Sequence, residues 1–170
     1  VERRRRRGTF VCSFPEHPAL RLREGFRRII ARPSEHMGTL DALARDYGAP
    51  DAGAMRADEA SYEEGFDAFI RFAADCLAGR TAAAPDPLWA MQSTLIAGYA
   101  SEAPIDFIGR AERFVEDARY ALTRLGLGEH TDLVPPTPAP DASWLTSERD
   151  QAIFKAYERD FLRLGYAPFG

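Results

Sequence analysis

Three histidines, two cysteines and a set of basic residues that is almost entirely arginine are what this chain offers to chemistry. His36, alone beside Met37, is the candidate general base, because imidazole exchanges protons near neutral pH. His17 sits between Glu16 and Pro18 and reads as a turn residue. His130 precedes a proline-rich stretch and reads as solvent-facing. Arg3 to Arg7 form an unbroken guanidinium run that suits phosphate or sulfate, although a charge block of this kind also makes a solvated arm, which is the reading taken here. Cys12 and Cys76 lie far apart. No pair of His, Cys or carboxylate residues has metal-ligand spacing, so no metal is expected. Glu63, Glu64 and Asp67 crowd the start of a helix, where their charge favours the helix dipole.

The elements that must position these residues fit one domain spanning 1–170, with room for one sizeable core. Hydrophobic residues make up 45% and charged residues 28%, which are globular values and argue against wholesale disorder. The net charge of -4 argues against a general nucleic-acid binder. No apolar run is long enough for a transmembrane segment, and two thiols make no disulfide framework, so a cytoplasmic setting is expected. Lys155 is the only lysine. The bias toward alanine and arginine is of the kind that GC-rich bacterial coding produces. The sequence opens at Val1 with a strand-like segment close behind, which leads us to expect a fragment of something longer.

Gly8 to Phe14 is short, apolar and β-rich, and prolines follow it, so a buried strand is expected. Leu22, Phe26, Ile29 and Ile30 recur at helical spacing over Ala19 to Ala31, and Pro33 stops that helix. A weaker helix passes through Leu40, Leu43 and Tyr47 to Gly48, and a loop with Pro50 and Gly53 follows. Ser61 and Glu64 form a capping-box pattern ahead of a helix ending at Gly79. Trp89 to Tyr99 predicts a short helix or turn, Pro104 to Ile108 a second strand, and Phe114 to Leu125 a helix ended by Gly126. The proline-rich stretch 131–141 is a linker to a last helix capped by Ser147, with Ile153, Phe154, Tyr157, Phe161 and Leu164 on its apolar face. Two strands separated by so much helix pair only in parallel, through a crossover. A two-stranded parallel sheet is a poor core by itself. Either the domain is essentially helical, or further strands lie upstream of Val1.

Three stretches together resemble sulfotransferases of the carbohydrate (family 2) type. In Asp86 to Ile96 (DPLWAMQSTLI), Asp86, Trp89 and Gln92 are similar to the family's Asp-x-His-Trp-x-Pro-Gln segment, with Leu88 and Met91 in place of His and Pro. Ile105 to Gly126 (IDFIGRAERFVEDARYALTRLG) resembles its Asp-Phe-Ile-Gly-Arg-x-Glu strand-turn-helix. Ala156 to Tyr166 (AYERDFLRLGY) is similar to its Tyr-x-x-Asp-Phe-x-x-x-Gly-Tyr close. Order and spacing agree in all three. The resemblance implies an α/β, mostly helical fold: the C-terminal part of a P-loop NTPase-like parallel-sheet sulfotransferase, with the P-loop strand absent. It also implies 3′-phosphoadenosine 5′-phosphosulfate as the donor and a small-molecule or carbohydrate hydroxyl as the acceptor, with no metal.

The first strand and helix resemble the family's 3′-phosphate element at His17, Pro18, Arg21 and Phe26. Glu16 stands where the phosphate-binding Arg belongs, and Glu24 where a Ser belongs, which replaces attraction to a dianion with repulsion. Nothing here resembles the Lys-x-(Ala/Gly)-Gly-Thr-Ser loop whose amides and lysine hold the 5′-phosphosulfate. The resemblance leaves Arg21 and Arg110 as the cofactor-binding candidates. For each, the alternative is a structural role: Arg21 anchoring a turn by pairing with a carboxylate, and Arg110 holding a buried turn with Glu112. The chain alone is expected to be inactive. The alternative to an enzyme is a degenerate, non-catalytic relative serving as a binding or interaction module. The acceptor and the oligomeric state stay open.

Overall fold

The computed structural model describes residues 9–135 and 141–169, so the Arg3 to Arg7 run and most of the proline-rich linker lie outside the described residues. Two compact units interleave along the chain. The smaller takes residues up to His17 and Gln92–Asp141, and the larger takes Pro18–Met91 and Ala142 onward.

The smaller unit holds two short strands, β1 (Cys12–Ser13) and β2 (Phe107–Ile108), and two helices, α5 (Gln92–Glu102) and α6 (Phe114–Arg124). The strands pair in parallel, with Cys12 opposite Phe107 and Ser13 opposite Ile108. A purely helical fold is thereby ruled out, and the chain is α/β with helix predominating. Both strands are shorter than the sequence suggests. A polar side chain ends the ladder on one side, since the Val11 amide donates to the Asp106 carboxylate at 3.1 Å. Phe14 packs edge-on to Phe107 and Phe114 at 6.1 and 4.9 Å between ring centroids. A 3-10 turn, Gly128–Leu133, takes the first positions of the proline-rich stretch.

The larger unit is helical: α1 (Pro18–Ala31), α2 (Met37–Tyr47), α3 (Ala52–Ala57), α4 (Glu59–Leu77) and α7 (Ser147–Leu164). Its core is aromatic. Phe26 contacts Phe66 and Phe69, Phe69 and Phe72 meet Trp89, and Ile153, Tyr157 and Phe161 of α7 are each buried. The α1 and α7 faces are those the spacing predicts. The loop expected around Gly53 contains α3, capped by the Asp51 carboxylate on the amides of Gly53 and Ala54. The cap of α4 is Asp58, not Ser61, whose amide the Asp58 carboxylate takes instead. Thr146, not Ser147, caps α7. Gly48, Gly79 and Gly165 adopt left-handed backbone just beyond α2, α4 and α7, as glycine permits without steric cost.

Candidate functional site

In the smaller unit the segment leaving β1 is latched to residues distant in sequence. The Ser13 and Pro15 carbonyls accept from the amides of Gly109 and Ala111, both at 2.9 Å. The buried Gln92 side chain accepts from the Glu16 amide at 2.9 Å and donates to the Glu16 carbonyl at 2.7 Å. The Glu112 carboxylate takes the amide of the buried His17. One step along, the Asp117 carboxylate takes the Arg110 amide at 2.7 Å. Gly109 has to be glycine for lack of room, because a Cβ there would lie 2.8 Å from the Phe14 ring and 2.9 Å from the Asp117 Cβ. Thus Gly109, Arg110, Glu112 and Asp117 form a turn whose side chains satisfy backbone donors of this unit.

This geometry bears directly on anion binding. A phosphate-binding turn presents free amides, but those of Glu16, His17, Arg110 and Ala111 already have acceptors within the unit. The backbone here is therefore a poor fit to a 3′-phosphate. The Arg110 side chain is half-buried.

In the larger unit Arg21 lies in the first turns of α1. Its guanidinium donates to the Ala90 carbonyl at 2.6 Å and also to the Pro87 carbonyl. The same tryptophan segment is turned by Asp86, whose carboxylate accepts from the Leu88 amide at 2.8 Å. It is held from α7 by the Tyr157 hydroxyl, which donates to the Trp89 carbonyl at 2.6 Å. Burial pushes the Tyr157 phenol well above its ordinary range, so it acts as a donor and stays neutral. Trp89 itself is 2% exposed and lies edge-on to Phe69 at 5.4 Å. Gly25 lets the segment close on α1, since a Cβ there would meet the Leu88 carbonyl oxygen at 3.0 Å. Arg21 therefore ties this segment to α1 through two backbone carbonyls.

Glu24 bonds to Arg27 at 2.7 and 2.9 Å and to Arg28 at 2.8 Å, all on α1. The hydrogen bond from Arg27, more than any other contact, holds its carboxyl below the usual range, against the opposing effect of burial. His36 is half-buried at the entry to α2. Its backbone amide donates to the Pro33 carbonyl at 3.1 Å, and its imidazole has no hydrogen-bond partner among the described residues. A base without an orienting group lacks what usually fixes its tautomer. His130 is exposed, 3.7 Å from Glu129. Arg21 and His36 belong to the larger unit and Arg110 to the smaller.

A cluster with no counterpart in the sequence reading centres on Arg149. Its guanidinium bonds to Glu63 and, at 2.6 Å, to Asp67, and it donates to the Trp144 carbonyl at 2.9 Å. Arg23 meets Glu63 from α1 at 2.7 Å and lies over the Trp144 ring at 4.5 Å. Glu63 and Asp67 thus serve a tertiary clamp as well as the helix dipole. Their i, i+4 spacing, which puts both on one face of α4, was the available signal. Among the described residues no group of three or more His, Cys, Asp or Glu is arranged to hold a metal, and no helix is long and apolar enough to cross a membrane. Comparison with family models, with curated proteins and with solved structures gives no match in any of the three.

Proposed function

We propose that this chain is a sulfotransferase-like domain of the carbohydrate type, the C-terminal part of a P-loop NTPase-like fold. The protein to which it belongs would transfer a sulfuryl group from 3′-phosphoadenosine 5′-phosphosulfate to a hydroxyl acceptor of the carbohydrate class. One observation carries the reading. The segment after β1 is latched by Gln92 and Glu112, which are 76 and 95 residues from their partners and belong to two of the three resembling stretches. The Tyr157 hydroxyl on the Trp89 carbonyl likewise joins the third stretch to the first. A chance likeness gives no reason for the matched side chains of Gln92, Glu112 and Tyr157 each to bond backbone distant in sequence.

A second reading, a non-catalytic relative serving as a binding module, is favoured by a separate observation. Arg21 is engaged by two carbonyls, Glu24 by two arginines, and the turn amides by side chains. Calorimetric titration with 3′-phosphoadenosine 5′-phosphate is the first test. Micromolar binding that is lost in Arg110→Ala, with sulfate transfer from labelled donor to a hydroxyl acceptor, supports the enzyme. Absence of binding by the folded chain fits both readings, and a Lys/Gly/Thr/Ser loop after a strand in the reading frame upstream of Val1 then favours the enzyme.

A further inference from the structure

The helical unit contains a cleft of about 560 Å³ between α2, α4 and α7, which neither Arg21 nor His36 lines. Its size is that of a small-molecule site. The floor is apolar, made by Ile70, Leu77 and Met91. The rim carries three cations, Arg71, Arg80 and Lys155, and one carboxylate, Asp75. Both oxygens of that carboxylate are occupied, one by Arg80 at 2.6 Å and the other by the Tyr47 hydroxyl at 2.9 Å. Arg80 is thereby neutralised, and the charges of Arg71 and Lys155 are left uncompensated within the cleft wall. The Arg71 guanidinium is held in place by one bond to the Tyr47 carbonyl at 3.0 Å. Lys155 makes no hydrogen bond or ion pair among the described residues. In a chain of net charge -4, two unbalanced cations over an apolar floor form a local field of the opposite sign.

We propose that this cleft binds a small organic anion, with its apolar body on Ile70, Leu77 and Met91 and its carboxylate or sulfate head group between Arg71 and Lys155. An apolar floor supplies binding without direction, and the two cations supply orientation and selection for charge. Arg71 is already fixed by the end of α2, so little of its side-chain freedom is lost on binding. The inference stands apart from the sulfotransferase reading, because it uses none of the residues considered there for the donor.

The test is titration of the full chain with 4-phenylbutyrate and with its neutral amide, followed by amide chemical shifts and calorimetry. The expected result is saturable shifts at Ile70, Leu77 and Ala156 with the anion. The neutral amide and the variants Lys155→Met and Arg71→Met should each bind about tenfold more weakly, as removal of one charge-assisted contact implies. Lys155→Met keeps the apolar stem and breaks no contact, so it decides the matter even if Arg71→Met folds poorly. Absence of saturable shifts, equal binding of the neutral amide, or an unchanged affinity in Lys155→Met overturns the proposal.

Discussion

The side-chain amide of Gln92 spans the backbone of Glu16, accepting from its N–H at 2.9 Å and donating to its carbonyl at 2.7 Å. One buried side chain thus completes both polar groups of a residue that lies in neither strand nor helix. Gln92→Ala removes both of these bonds and should destabilise by about 1–3 kcal/mol. Hydrogen exchange checks this locally: the Glu16 amide should lose protection before the amides of α4 do. Gln92→Glu keeps an acceptor and removes the donor, so it should protect the Glu16 amide and still lower stability.

Gly109→Ala puts a methyl group within 2.9 Å of both the Phe14 ring and the Asp117 Cβ. Overpacking of this kind costs about 1–3 kcal/mol. Chemical denaturation should show the loss, and Phe14→Leu in the same chain should recover part of it by opening space.

Arg149 holds Glu63, Asp67 and the Trp144 carbonyl at once. Arg149→Met should cost about 2–3 kcal/mol, as loss of charge-assisted bonds in a half-buried setting does. A pH effect accompanies it. Burial alone would raise the Glu63 carboxyl, but hydrogen bonds from Arg23 and Arg149 outweigh it and hold it below its ordinary 4.5. Stability from this group is complete above about pH 4.5 and is lost as pH falls through the lower native value. Melting temperature followed from pH 6 to pH 3 should fall less steeply in Arg149→Met than in the parent.

At the alkaline end the sign reverses. Burial and the hydrogen bond to Asp75 push the Tyr47 phenol up to about 12, and burial pushes Tyr157 higher still, from an ordinary 10.0. Above pH 10 the unfolded chain releases these protons while the native chain keeps them, so stability drops as pH rises. Tyr157→Phe should remove part of that slope, and it should also cost about 1 kcal/mol at neutral pH for the lost bond to the Trp89 carbonyl. Unfolding at pH 8 and pH 11 measures both effects.

Much of the helical scaffold was legible because it follows local rules. The faces of α1 and α7 repeat apolar residues at helical spacing, and Gly48, Gly79 and Gly165 stand just past the helices they end. The parallel pairing of β1 with β2 followed from the long helical crossover between them. The short α3 was not legible, since six residues that bury only Met55 show no periodicity. Cap positions slipped by one or three residues because Asp58 and Ser61, like Thr146 and Ser147, are all chemically able to cap. At the candidate site the structural roles of Arg21 and of the Gly109–Glu112 turn were open alternatives in the sequence. Which carbonyls and amides they serve was not, since partners 66 and 95 residues away are set by tertiary packing. The Arg149 clamp was missed for the same reason, its carboxylates being 82 and 86 residues distant.

The interleaving of the two units along the chain has a consequence for synthesis. β1 precedes β2 in the chain and cannot meet it until all of Pro18–Met91 has been made. The helical unit in turn lacks α7, with Tyr157 and Arg149, until the whole of the smaller unit has been made. Neither unit can be completed on a nascent chain before the other is nearly made, so early contacts remain provisional and apolar helix faces stay uncovered for longest. No single cut in the gene releases either unit intact.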